Sequence, residues 1–317
     1  MKNTVKKILS HDFFLPFAES KRFIFAYHDV SDEKEKYFSG EHYSTTVDNF
    51  KRQIGFLARK FEIIPLDALV TDADLSRKKH YASIIFDDGF FSVAETAQEI
   101  LAAEQIPFAV FVNKSAIVYD QLWVSNLILH KNDRIYLQKL FSCLTNKSIS
   151  FEEFVSNPIW AINEYVNFDA NFREIYLHIA EGKEKKTHLD AQDIIHLHND
   201  GVLIGSHSTD HYRMNRCTEA ELSTQIVENR DFLKDLLKTE IEHFAIPFGK
   251  REDYSKEIIV KIYASGHKFI YSTNVIPFET MEITKINFLF PRIGVLNHTP
   301  EELMFFVNRT FLKKYDL

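Results

Sequence analysis

Residues 84–90 read "IIFDDGF", Ile84 to Phe90, and place two carboxylates side by side at the end of a run apolar enough to vanish into a core. Burying one charge without a partner costs on the order of several kcal/mol. Two adjacent acids cost more, because each raises the pKa of the other. Along a strand, consecutive side chains point to opposite faces, so both acids can serve one site only where the strand ends. Gly89 marks such an end. Similar runs recur: "RFIFAYH" (22–28), "FEIIPL" (61–66), "SIIFD" (83–87), "PFAVFVN" (107–113), "GVLIGS" (201–206), "IEHFAI" (241–246) and "KFIYST" (268–273). They are apolar throughout, as strands covered on both faces must be. Between them runs helical periodicity, with Phe50, Ile54 and Leu57 on one face of 47–60, and Leu222, Ile226, Leu233 and Leu237 on one face of 219–238. Gly201 and Gly266 stand where helices stop. The alternation predicts an α/β protein with a largely parallel sheet or barrel. In such folds sites gather at the carboxyl ends of strands, where "DDG" sits.

The rhythm breaks between about residues 115 and 187, a glycine-poor stretch of helical pattern ending in the charged turn "EGKEKK" (181–186). It reads as a helical insertion in a single domain spanning 1–317. The net charge of -7 argues against a nucleic-acid or anionic-membrane partner held by charge. Cys143 and Cys217 form no metal-ligand pair and fit a reducing compartment. The first residues, "MKNTVKKILSHDFFLPFAESKRF", hold no adequate apolar stretch, and no run reaches the ~18 apolar residues of a membrane span. A cytoplasmic protein is the expectation.

A second motif, "IGSHSTDH" (204–211), also follows a strand. One helical turn over residues 207–211 would put both His207 and His211 on one face. An isolated pair of that spacing is more often a pair of surface or capping histidines. Two imidazoles and one carboxylate nevertheless suffice to hold a divalent ion, and a cation would neutralise charge that makes the acidic pair costly. A third strand runs into Pro247-Phe248-Gly249, a rigid turn able to aim backbone N–H groups and an aromatic wall at a substrate. His196 and His198 lie two apart on a helix and face different ways, His130 and His188 have no visible partner, and Trp123 reads as packing.

The order "FAYHDV" (25–30), "TVDNFKRQIGFLARKFEIIPLDAL" (46–69), "IIFDDGF", "PFAVFVN", "IGSHSTDH", "FAIPFG" (244–249) and "FPRIGV" (290–295) resembles the polysaccharide deacetylase family, the NodB-homology group, over about residues 22–300. The resemblance implies a distorted (β/α) barrel of about seven strands and a metal-dependent hydrolase of N-acylated sugars. By position it makes Asp87 the catalytic base, and Asp88, His207 and His211 the ligands of one divalent ion, commonly zinc. Pro247, Phe248 and Gly249 become the groove turn, with Arg292 grouped among the substrate-side residues. The chain departs from the pattern at Ala245, where many members carry the arginine that steadies the base, and Arg292 is the residue able to supply that charge. The Asp and Trp of the fourth motif have no match in "YSTNVIPF" (271–278). His28, in the "YHxV" pattern, is preferred over His298 as general acid. The implied substrate is an N-acylated sugar, sugar nucleotide or lipid-linked sugar of surface-glycan assembly. The rival readings are a non-haem iron(II) oxygenase, whose triad does not need a second Asp, a nucleotide–metal glycosyltransferase, which has no role for the histidines, and a catalytically degenerate carbohydrate-binding relative.

Overall fold

The computed structural model describes residues 21–32, 44–72, 75–76, 79–145, 148–177, 186–273 and 289–312. Its strands are β1 (Arg22–Tyr27), β2 (Asp29–Val30), β3 (Ser44–Thr45), β4 (Glu62–Ile63), β5 (Tyr81–Phe86), β6 (Phe108–Val112), β7 (Leu203–Ser206), β8 (His243–Ala245), β9 (Phe269–Ser272), β10 (Leu289–Pro291) and β11 (Ile293–Gly294). Eight of them form one parallel sheet in the order β10-β9-β8-β7-β6-β5-β1-β11, against about seven expected, while β4 pairs off this path with β5 and β2 pairs with β3. The run 61–66, expected as a full strand, yields only β4, because Pro65 opens a helix over Leu66–Thr71.

The sheet's two ends are successive pieces of one stretch. Phe290 of β10 pairs with Tyr271 of β9, and Ile293 of β11 pairs with Phe25 of β1. Only Arg292 lies between them. The stretch 289–294 therefore draws the two edges together into a nearly closed, distorted (β/α) barrel.

Alternation along the strands separates two cores. Phe23, Phe25 and Tyr27 of β1, and Ala82, Ile84 and Phe86 of β5, face outward and pack with Phe50, Ile54 and Leu57 of the helix Val47–Lys60. Ile24 and Ala26 of β1, with Tyr81 and Ile85 of β5, face inward and meet Ala109, Phe111, Ala245, Tyr271 and Phe290 inside the barrel. Both faces are buried, which is why the strands are apolar without a break. The same parity carries residue 28 past β1 and residue 87 past β5 to the inner side of the rim.

Between β6 and β7 the chain forms helices Lys114–Tyr119, Trp123–Leu129, Arg134–Ser142, Phe151–Ser156, Pro158–Tyr165 and Ala170–Leu177. Short polar signals start several of them: Asp133 accepts from the N–H groups of Ile135 and Tyr136, Ser150 and Glu153 form a capping box, and Asn157 precedes Pro158. They enclose a core of their own around Trp123, Phe154, Phe168, Phe172 and Tyr176. Most of the "EGKEKK" turn lies outside the described residues; its last residue, Lys186, pairs with Asp190 at 2.6 Å. Among the described residues no helix is long and apolar enough to cross a membrane, and the first twenty residues lie outside them.

Candidate metal centre and active site

Asp87 leaves β5 with its N–H bonded to the carbonyl of Tyr27 at 2.9 Å, and is 3% exposed. Asp88 then turns into the left-handed region, at φ 67°, followed by Gly89 at φ 64°. That turn lets two consecutive acids share one site, since it breaks the strict alternation of the strand. Asp tolerates the left-handed conformation better than most residues. A Cβ on Gly89 would lie 2.9 Å from Val112 Cγ1, so the corner has no room for a side chain.

Arg292 resolves the cost of the acidic pair. Its guanidinium, 1% exposed, donates from Nη1 to both Asp87 oxygens at 2.8 Å. Burial works to raise the Asp87 pKa, but the charge and hydrogen bonds of Arg292 outweigh it and hold the carboxyl below its ordinary value. The mutual upward push expected of adjacent acids is thus overcome at Asp87. The resemblance groups Arg292 with the substrate-side residues and also offers it as the charge that Ala245 cannot supply; in the structure its guanidinium sits against the Asp87 carboxylate. It can reach because it is the residue at the seam of the barrel.

The loop after β7 is not the helical turn that the His207–His211 spacing suggests. Ser208 and His211 are left-handed, at φ 69° and 58°. Asn113 takes the carbonyls of His207 and Ser208 as acceptors for its side-chain amide, and Ser208 Oγ accepts from the N–H of His211 at 3.0 Å. Those bonds replace the i to i+4 ladder, yet the rings still converge, with centroids 4.9 Å apart. His207 Nδ1 bonds the carbonyl of Ala245 at 2.8 Å, which fixes its proton there and leaves the Nε2 lone pair facing Asp88. Asp88 Oδ1 lies 3.5 Å from His207 Nε2 and 3.4 Å from His211 Nε2. Burial lowers His207 to about 4 and His211 to about 3, so both imidazoles are neutral donors at pH 7.

Asp88, His207 and His211 offer ligand atoms within 4.8 Å of one another. Asp88 Oδ1 is buried without a hydrogen-bond partner. An orphaned carboxylate oxygen between two neutral imidazole nitrogens fits a divalent cation, and the donor set is that of an open three-ligand site. His28 follows β1, half-buried, with Nδ1 lacking a hydrogen bond, and it is near enough to interact electrostatically with Asp87 and His211.

Across the rim, Gly249 N–H bonds the carbonyl of Pro247 at 2.6 Å, closing a three-residue turn on Phe248 at φ 58°. This is the rare, strained form of the turn for a bulky residue. Thr273 braces it, donating from N to the carbonyl of Gly249 at 2.8 Å and from Oγ1 to that of Phe248 at 2.7 Å. The Phe248 ring stands edge-on to His211, 4.7 Å between centroids. Pro247, Phe248 and Gly249 therefore line the same rim as the histidines.

Other residues fall elsewhere. His298 packs its ring on Phe306 and accepts from the N–H of Leu296 at 3.1 Å, while Thr299 and Glu302 cap the last helix. His188, read as partnerless, is 1% exposed and bonds Asp120 and Ser125. Residues 274–278 of the fourth-motif segment lie outside the described residues. Asp210, between the two histidines, is buried with them, and its only signal in the sequence is an acid set inside the motif.

The polysaccharide deacetylase family model matches residues 74–265. Among solved structures, the chain is similar to the Streptococcus pyogenes deacetylase PplD, with 13% identity, 90% of this chain and 98% of that one covered, and a TM-score of 0.59. It is also similar to IcaB from Ammonifex degensii, at 14% identity, 91% and 97% coverage and a TM-score of 0.57. A third is the de-N-acetylase from Aggregatibacter actinomycetemcomitans, at 13%, 89% and 96%, with a TM-score of 0.51. No curated protein sequence matches it. These likenesses agree on the fold, and the match over residues 74–265 places the chain in the polysaccharide deacetylase family, hydrolases of carbon–nitrogen bonds other than peptide bonds.

Proposed function

We propose that the protein is a metal-dependent N-deacylase of an N-acylated sugar. One observation carries the reading: Asp87, locked as an anion by Arg292, stands beside a separate group of three neutral or orphaned donors, Asp88, His207 and His211. A base and a ligand set are two different needs, and metal-assisted hydrolysis uses both, whereas an oxygenase triad does not need the second acid. When bound by those three side chains, a divalent cation, zinc by the family's habit, would supply Lewis acidity at the amide carbonyl and lower the pKa of water there.

Asp87 takes the proton from the attacking water. Its lowered pKa makes it a weaker base but keeps it ionised at any physiological pH. The Phe248 turn offers its backbone N–H to the carbonyl oxygen as that atom becomes anionic, and its strained geometry holds the donor without reorganisation. His28 protonates the leaving nitrogen as the C–N bond breaks, giving a carboxylic acid and a free amine. We assign as substrate a sugar nucleotide or lipid-linked sugar met in the cytoplasm during surface-glycan assembly.

The test is to incubate zinc-loaded protein with a panel of N-acetyl and N-formyl sugars and sugar nucleotides, measuring acetate and formate. Release from at least one substrate, abolished by a chelator and restored by zinc, is the expected result. Sugar binding without release would make the protein a non-catalytic relative. Oxygen uptake with Fe(II) in place of release would move it to the oxygenases.

A further inference from the structure

Loop 207–212 carries both imidazoles yet has no regular structure of its own, so its shape must be imposed from outside. Asp210 sits between the ligands, 1% exposed. Its Oδ1 accepts from Ser115 Oγ, from Arg173 Nε at 3.1 Å and from Tyr176 Oη at 2.8 Å, and its Oδ2 accepts from Gln225 Nε2 at 2.7 Å. The Asp210 N–H donates to Gln225 Oε1 at 2.9 Å. Ser115, Arg173 and Tyr176 belong to the helical segment 114–177. Gln225 belongs to a π-helical turn, Thr224–Glu228, set within the helical run 219–237.

Two further contacts reach the loop's backbone. The π turn frees carbonyls that would otherwise be spent inside a helix, and Thr209 uses them: its N–H bonds the carbonyl of Gln225 at 3.0 Å and its Oγ1 that of Thr224 at 2.7 Å. Trp123 Nε1 donates to the carbonyl of His211 at 3.0 Å, and Tyr212 stacks on Phe168 at 4.5 Å between ring centroids. A left-handed histidine is thereby gripped on both sides.

We propose that Asp210 is a positioning residue of the metal centre. Its carboxylate ties helix Ala170–Leu177 and the π turn to the ligand loop, so that His211 is held beside Asp88 before any ion arrives. The helical segment 114–177 then serves the site as a preorganising brace. This rests on the metal-dependent reading above. Packing alone would account for the aromatic contacts, but not for four donors converging on one buried carboxylate three residues after His207 and next to His211. Partners that orient ligands typically set metal affinity by about 10- to 100-fold.

The experiment measures zinc affinity by chelator competition, and the Co(II) absorption spectrum, well below each protein's melting temperature. Asp210→Asn keeps the shape but cannot accept from all four donors; it should bind zinc about 10- to 100-fold more weakly, with an altered Co(II) spectrum. Trp123→Phe removes the indole N–H together with part of the buried ring and should weaken binding less. Phe154→Leu, in the same helical core but with no bond to the loop, should lower the melting temperature and leave affinity unchanged. A folded Asp210→Asn with wild-type affinity and spectrum overturns the proposal while the metal-centre reading stands. Should Asp210→Asn fail to fold, Trp123→Phe and Arg173→Gln decide it, and wild-type affinity in both overturns it. Wild-type protein that binds no zinc would instead remove the metal-centre reading itself.

Discussion

Asp87 and Asp88 are chemically identical neighbours, set in different surroundings by one backbone dihedral and one guanidinium. Asp87 continues the inward parity of β5 and meets Arg292; Asp88, turned left-handed, leaves an oxygen unpaired between two imidazoles. Removing each group should therefore fail differently. Asp88→Ala should lose metal, as counted by elemental analysis. Asp87→Asn should retain it and lose turnover by roughly 100- to 10,000-fold, the worth of a general base. His28→Ala should likewise keep the metal and turn over slowly. Arg292→Met strands a buried carboxylate, so Asp87 should rise in pKa and the acid limb of the pH–rate profile should move to higher pH. Loss of metal in Asp87→Asn would show that the two acids had been assigned in the wrong order.

The elements place these side chains by packing that leaves little slack. β7 pairs with β6 through Phe111↔Gly205, and a Cβ on Gly205 would lie 2.4 Å from Phe111 Cε1. That ring is wedged against Tyr271 inside the barrel, at 5.3 Å between centroids. Gly205→Ala should thus cost about 1–3 kcal/mol in a urea titration by overpacking the interior. Because β7 leads straight into the ligand loop, the substitution should weaken zinc binding as well; an unchanged urea midpoint would show that the interior yields more than a packed barrel should. Helices built on strong local signals, such as the Asp190–Asp193 capping box before Ala191–Asn199, need no such partner to begin.

At the scale of the whole molecule, burial of neutral histidines makes the metal-free fold sensitive to acid. His207 is lowered to about 4 and His211 to about 3 by desolvation, and His267, packed on Phe244, likewise to about 3. From pH 6.5 downward the unfolded chain binds protons that the fold refuses, so stability falls with pH, by about 1.4 kcal/mol per unit for each such group. Asp253, raised by burial, opposes this with a single group nearer the carboxylate range. The urea midpoint of chelator-treated protein should drop between pH 7 and pH 5, and His267→Gln should flatten the slope; a midpoint constant over that range would contradict the burial of these rings. The sequence alone determined the parts that depend on local pattern: strands apolar throughout, helices with one apolar face between them, and acid and imidazole motifs at strand ends in the family's order. Those signals are local because backbone hydrogen bonding and side-chain parity repeat over a few residues. Only the tertiary structure decided that 289–294 serves both edges of the sheet, that Arg292 reaches Asp87 from 205 positions away, and that Asp210 joins four donors. Such contacts follow from how the barrel closes and how the helical segment packs on it, and no spacing within the chain encodes that distance.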